Sequence, residues 1–211
     1  LDFGRAIAEN AARLGDKPAL VVGDTTLSWR AFGERVAQVA GALNARGIGQ
    51  GGMVATLAEN SLEHIVLYAA TVAAGACIVP LPYSATAEAL RRMVSDSGAG
   101  LLFASPAQME TAVALEAPEV VDLSTLAEWS AGASLAEPAP VRPSDLFNII
   151  YSSGTTGLPK GIVHDHQFRS RQLSRITRFG LNEEARMVIS TPVYSNTTLF
   201  GLLPCLTLGA T

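Results

Sequence analysis

Cysteine, lysine and aromatic side chains are all scarce in this chain. Its two cysteines, Cys77 and Cys205, stand far apart inside apolar runs. Such a pair suits buried thiols of a reducing compartment and excludes a disulfide framework or a zinc site. Lysine occurs only at Lys17 and Lys160, within a basic total of 15 against 19 acidic residues, and the net charge is −4. That balance argues against a nucleic-acid binder held by phosphate neutralisation. A charged share of 16% beside a hydrophobic share of 48% excludes a disordered chain. No apolar signal-peptide core opens the sequence, because Asp2, Arg5 and Glu9 fall within it. The uncharged run Ile65 to Ala87 has the length of a membrane span. Gly75, Pro80 and Pro82 break it, however, so it reads as an Ala-rich helix followed by a buried strand. These features predict a soluble, cytoplasmic protein without stable membrane insertion. At 211 residues it has the size of one domain or one large lobe.

The order of elements predicts the fold class. An amphipathic helix ends near Gly15, and Ala19 to Val22 and Thr25 to Leu27 flank Gly23-Asp24 as a hairpin. Ser28 can cap a helix whose apolar residues Trp29, Phe32, Val36, Val39 and Leu43 keep helical spacing up to Gly47. Strands at Met53 to Leu57, Ala76 to Leu81 and Leu101 to Ala104 then alternate with helices from Ser61 and around Glu88 to Ser95. A further short pass combines Val120-Val121 with Leu123 to Trp129. Such alternation through Gly-marked turns predicts an α/β fold with a mostly parallel sheet and flanking helices. Residues 132–143, with three prolines, read as a linker between a first subdomain, 1–131, and the start of a second, 144–211. Beyond it the pattern predicts a strand Leu146 to Tyr151, a helix Gln167 to Phe179, a strand Met187 to Ser190 and a helix Leu199 to Leu208. Leu206 to Thr211 echoes Val72 to Val79, where a helix end and Gly-Ala lead into a strand. The echo suggests a lobe cut short before its next strand.

Several formal motifs carry no weight. Gly47, Gly49 and Gly52 match G-x-G-x-x-G but follow a helix and precede a strand, the reverse of the dinucleotide arrangement. The sequon Asn196-Thr197-Thr198 matters only in a secreted protein. His164-Asp165-His166 lacks a third metal ligand, and neighbours on a strand alternate between faces. The stretch Ser152-Ser153-Gly154-Thr155-Thr156-Gly157-Leu158-Pro159-Lys160-Gly161 differs in kind. It combines four hydroxyls, three glycines and one of the two lysines directly after an apolar strand. Glycines let backbone N–H groups approach a ligand, the hydroxyls add donors, and lysine adds a compact cation. A polyphosphate matches that set. A hydrolase using Ser152 or Ser153 lacks its G-x-S-x-G elbow.

This ten-residue stretch resembles the phosphate-binding signature of the adenylate-forming enzymes, which include acyl- and aryl-CoA synthetases, peptide-synthetase adenylation domains and beetle luciferases. Leu27-Ser28-Trp29, Ala74 to Leu81 and Thr191 to Thr211 resemble other stretches of that family in order and spacing. His166 stands where the family often carries a histidine. The resemblance implies that Ser152, Ser153, Gly154, Thr155, Thr156, Gly157 and Lys160 hold the phosphates of ATP. It implies magnesium as well, with the Ser152 hydroxyl as a candidate ligand, and a small-molecule carboxylic acid as substrate. The implied reaction gives an acyl-adenylate and pyrophosphate, followed by transfer to coenzyme A in a setting such as fatty-acid metabolism. Transfer to a carrier-protein thiol, or a non-catalytic nucleotide-binding role, stays open. Many members have Phe-His where this chain has Tyr194-Ser195, followed by Asn196, and these three are the expected neighbours of the adenylate. The family's later motifs, its second catalytic lysine included, have no match here. Lys17 sits too early to replace that lysine, so the 211 residues alone are expected to be inactive.

Overall fold

The computed structural model describes residues 2–153, 159–176 and 179–211. The chain opens with α1 (Phe3–Leu14), the hairpin β1 (Pro18–Val22) and β2 (Thr25–Ser28), and α2 (Trp29–Ala45). Next come β3 (Met53–Leu57), α3 (Leu62–Ala73), β4 (Cys77–Pro80), α4 (Ala87–Ser97) and β5 (Leu101–Ala104). They are followed by α5 (Met109–Val113), β6 (Glu119–Asp122), α6 (Leu126–Trp129), β7 (Leu146–Ser153), β8 (Pro159–Asp165), α7 (His166–Ile176) and α8 (Asn196–Leu208). Local chemistry sets the helix starts. Asp2, Ser28, Ser61, Thr86 and Ser195 each accept a backbone N–H from the first turn of α1, α2, α3, α4 and α8.

The main sheet has the order β6-β5-β3-β4-β7-β8, parallel throughout except for β8, which returns antiparallel to β7. The expected α/β architecture, a mostly parallel sheet with flanking helices, is therefore the one observed. Two apolar cores fill its faces. One joins α1, α2, α3 and α8 to Val54, Ile78, Phe147 and Ile150. The other joins Leu90, Met93 and Val94 of α4 to Ala55, Leu57, Val79 and Ile149. The connection after β3 thus crosses one face and the connection after β4 the other. Adjacent strands with opposed connections open a crevice at their carboxyl ends.

Residues 132–143 hold neither helix nor strand but lie against the helices. Ala136 N donates to Ala37 O, and Ala139 N donates to Ala73 O. β7 then pairs with β4, so the sheet continues across this stretch.

One expected element fails. Residues 187–190 form no strand, since among the described residues their backbone pairs at a single point, Met187 with Thr211. Met187 N donates to Thr211 O and Thr211 N donates to Ala185 O, while Val188 is 86% exposed. An extended segment becomes a strand only when a ladder is there to pair it. The helix expected over 167–179 begins one residue earlier, at His166, and is described to Ile176. The echo between Val72 to Val79 and Leu206 to Thr211 has a geometric basis. Gly75 and Gly209 both take left-handed backbone, φ 79 and 81, within two residues of the ends of α3 and α8.

Candidate functional site at the carboxyl edge of the sheet

β7 and β8 form a hairpin whose register places Ser152 opposite Lys160 and Ser153 opposite Pro159. The Ser152 side chain is half-buried and Lys160 is exposed. Gly154, Thr155, Thr156 and Gly157, the remainder of the candidate phosphate cradle, lie outside the described residues. Alternation along a strand puts Ser152, Ile150 and Asn148 on one face, with their partners Lys160, Ile162 and His164. Ile150 belongs to the core that also holds α8, which identifies this as the α8 face.

The loops leaving the parallel strands end on the same edge as Ser152. After β3, Glu59 accepts hydrogen bonds from Ser105 Oγ at 2.5 Å and Gln108 Nε2 at 2.8 Å. Burial alone would raise its carboxyl, but these bonds outweigh that effect and hold it below the ordinary carboxylate range. Asn60 beside it is a clamp. Its Nδ2 donates to Thr191 O at 2.9 Å and its Oδ1 accepts from Val193 N at 3.0 Å. After β4, Tyr83 meets Tyr194 edge-on with ring centroids 5.2 Å apart, and Ser84 Oγ lies 3.5 Å from the Tyr194 hydroxyl.

Tyr194 is thereby docked on the crevice between β3 and β4. Ser195 spends its hydroxyl on capping α8, accepting from Thr197 N at 3.3 Å. Asn196 Oδ1 accepts from Arg169 Nη1 at 2.9 Å. Both predicted groups, the Ser152–Lys160 pair and the Tyr194–Asn196 segment, therefore belong to the carboxyl end of the sheet on its α8 side. Lys17 is elsewhere, donating to Gly209 O at 2.6 Å and to Glu183 O, and so fastens β1 to the end of α8.

A resident metal does not fit the described donors by themselves. Among the described residues no three His, Cys, Asp or Glu side chains converge as a metal site. His164 packs its ring on Phe168, with centroids 4.5 Å apart, while His166 meets Phe147 edge-on on the other element. A hydroxyl such as that of Ser152 suits a hard cation delivered on a phosphate chain, since magnesium is commonly held by substrate oxygens and water with few protein ligands.

Arg169, Asn148 and Asn60 were absent from the expected site. Arg169 carried a readable signal. The buried residues of α7 are His166, Arg169, Leu173 and Ile176, so the arginine occupies a core position of the helical repeat. Asn60 had no signal, because its partners lie 131 and 133 residues away.

Comparison with known proteins bears on the family and the fold. A family model described as AMP-binding enzyme matches residues 7–211. Tyrocidine synthase 3 of Brevibacillus parabrevis is 35% identical over 162 residues, covering 75% of this chain and 2% of that protein. Feruloyl-CoA synthase of Amycolatopsis sp is 30% identical over 191 residues, covering 90% of this chain and 39% of that protein. The N-terminal domain of FACL13 from Mycobacterium tuberculosis, in an inhibitor-bound crystal structure, aligns with a TM-score of 0.91 at 25% identity. That alignment covers 100% of this chain and 56% of the other. The chain spans well under two thirds of the length of each of these proteins. With a match running over nearly all of its residues and the fold that goes with it, the chain belongs to the AMP-binding enzyme family.

Proposed function

We propose that this chain supplies the phosphate-binding and part of the acid-binding half of an enzyme that activates a small-molecule carboxylic acid with ATP. The single observation that carries the reading is the β7–β8 hairpin. It sets Ser152 against Lys160 on either side of the sequence Gly-Thr-Thr-Gly-Leu, on the carboxyl edge of a doubly wound sheet. Ser152, Ser153, Gly154, Thr155, Thr156, Gly157 and Lys160 would hold the ATP phosphates while the acid's carboxylate oxygen attacks the α-phosphorus. The bond from that phosphorus to the bridging oxygen breaks, and pyrophosphate leaves with the electron pair. Lys160 would offset the charge that gathers on the leaving oxygens, the kind of electrostatic assistance that costs no rearrangement during the step. Magnesium bound to ATP would neutralise phosphate charge, and the Ser152 hydroxyl is the group that would reach it. Tyr194, Ser195 and Asn196 would border the acid and the adenylate.

Transfer of the acyl group to the thiol of coenzyme A is the second step we propose. The likeness to feruloyl-CoA synthase over 90% of this chain supports it. Delivery to a carrier-protein thiol is the rival reading, supported by the identity with tyrocidine synthase 3, 35% over 162 residues. The test is ATP–pyrophosphate exchange by the protein expressed from its complete reading frame, with a panel of carboxylic acids. Exchange that depends on one class of acid supports activation, and no exchange with any acid overturns it. Thioester formation on free coenzyme A or on a phosphopantetheinylated carrier protein then separates the two acceptors. Because the relatives are much longer, we propose that residues 1–211 alone do not turn over. Robust exchange from them would refute that.

A further inference from the structure

Arg169 is 1% exposed and bonded to neutral groups. Its Nε donates to Asn148 Oδ1 of β7 at 2.9 Å, and its Nη1 to Gln172 Oε1 at 2.7 Å and to Asn196 Oδ1 of α8 at 2.9 Å. Its Nη2 lies 3.3 Å from His164 Nδ1 of β8. The ion pairs among the described residues are Arg13–Glu183, Arg30–Asp16 and Arg92–Glu88, and none of them involves it. A buried cation without a counter-charge is costly, and an apolar side chain of similar size would fill the same space without that cost. Stability therefore does not account for an arginine here. What a guanidinium adds is a rigid fork of donors that can fix several acceptors in one plane.

Those acceptors come from the two halves of the proposed site. Asn148 and His164 are cross-strand partners at the base of the hairpin. On the same face, two pairings further along, stand Ser152 and Lys160. At ~3.3 Å per residue they lie roughly 13 Å from the arginine's partners. Asn196 begins α8 directly after Tyr194 and Ser195. Asn60 clamps the chain just before Tyr194, and Arg169 clamps it just after.

We propose that Arg169 is a positioning residue that ties the base of the β7–β8 hairpin to the first turn of α8. The tie keeps the Tyr194–Asn196 segment at one fixed separation from the Ser152–Lys160 pair. The inference rests on the reading above, in which those two stretches meet the acid and the ATP phosphates. The hairpin is also held by the backbone pairing of β7 with β4, whereas the Tyr194–Asn196 segment is otherwise held by the side chains of Asn60, Tyr83 and Ser84. Loss of the tie should therefore displace the acid side more than the phosphate side.

The test compares Arg169→Met, Arg169→Lys, Asn196→Ala and the double variant Arg169→Met/Asn196→Ala in the protein expressed from its complete reading frame. Leu90→Ala, a buried change in the opposite core, controls for plain destabilisation. In exchange kinetics we expect Arg169→Met to raise KM for the acid at least ten-fold while KM for ATP stays within two-fold. Asn196→Ala should act alike, the double variant should be no worse than either single one, and Arg169→Lys should fall between. Leu90→Ala should lower Tm and move neither KM. If Arg169→Met behaves like Leu90→Ala, or if the effects of the two single variants multiply, the proposal is overturned. Should Arg169→Met not fold, Arg169→Lys and Asn196→Ala carry the same readout. If the unaltered protein shows no exchange with any acid, the functional reading fails separately, and amide hydrogen exchange decides the tie. Lost protection at the start of α8 in the Arg169 variants, and not in Leu90→Ala, upholds it, whereas unchanged protection removes it.

Discussion

Lys160 and His64 show how exposure divides the work of single residues. Lys160 is exposed at the mouth of the hairpin, so its loss should leave the fold untouched. We expect Lys160→Ala to lower pyrophosphate exchange by about 10²- to 10³-fold, the scale for losing one group aimed at developing charge, with no change in Tm. Exchange at the parent rate would remove it from the site. His64 is the reverse case, 1% exposed between Thr56 Oγ1 at 2.9 Å and Glu59 O at 3.0 Å. Its Nδ1–H donates to the Glu59 carbonyl, leaving Nε2 to accept from the threonine hydroxyl. Burial pushes its pKa from 6.5 down to about 4, so the fold holds it neutral. As pH falls, the unfolded chain takes this proton first. The contribution to stability is complete above 6.5 and is lost as pH drops toward about 4. By pH 5 the loss from His64 alone is roughly 2 kcal/mol, at about 1.36 kcal/mol per pKa unit. Thermal unfolding at pH 7 and at pH 5 should show that drop, and His64→Gln should flatten it. His164, lowered to about 4 by burial and by the charge of Arg169, pulls in the same direction.

At the scale of elements, α2 shows a close approach that composition cannot reveal. A Cβ on Gly41 would stand 1.9 Å from Ser134 O in the stretch 132–143. A backbone oxygen cannot swing aside as a side chain does. Alanine favours a helix interior over glycine by about 1 kcal/mol. The overlap should outweigh that gain, and we expect Gly41→Ala to destabilise by about 1–3 kcal/mol. Gly100→Ala, which meets nothing within 4 Å, is the control. Urea unfolding of both reads the difference. Much of this layer was legible in the sequence. Met53–Leu57 and Leu101–Ala104 are legible as short, largely apolar runs each opened by a glycine, and α2 as apolar residues at helical spacing. The hairpin return β8 was not named as a strand, because Pro159 and Gly161 punctuate it like a loop. Residues 187–190 misled for the opposite reason, since their apolar character does not supply a pairing partner. Ser152, Lys160 and Tyr194 could be picked out because their chemistry is local in sequence. Arg169 stood out only as a charge at a core position of α7, and its role could not be read, since that lies in Asn148 and Asn196, 21 and 27 residues away.

For the molecule as a whole, the two cysteines report on burial at two separate places. Cys77 lies in the core beneath α4, and Cys205 is buried on α8. Burial pushes their thiols up to about 12 and about 11. The thiolate is the reactive form, so iodoacetamide near pH 8 should modify neither in the folded protein and both in urea. Labelling of Cys77 without denaturant would show that the core beneath α4 opens, and labelling of Cys205 that the packing around α8 does. No helix among the described residues is long and apolar enough to cross a membrane. The side-chain hydrogen bonds that span the most sequence join the beginning of the chain to its end. Phe3 of α1 meets Phe147 edge-on at 5.4 Å, and Asn10 Nδ2 donates to Leu206 O and Thr207 O across 196 and 197 residues. Thr211 Oγ1 donates to Pro18 O, 193 residues back. On a ribosome these partners emerge in sequence, so α1 waits for residues translated almost two hundred codons later. Until then α1 can pack on α2 and α3, but the part of its apolar face that meets Phe147 and α8 stays uncovered.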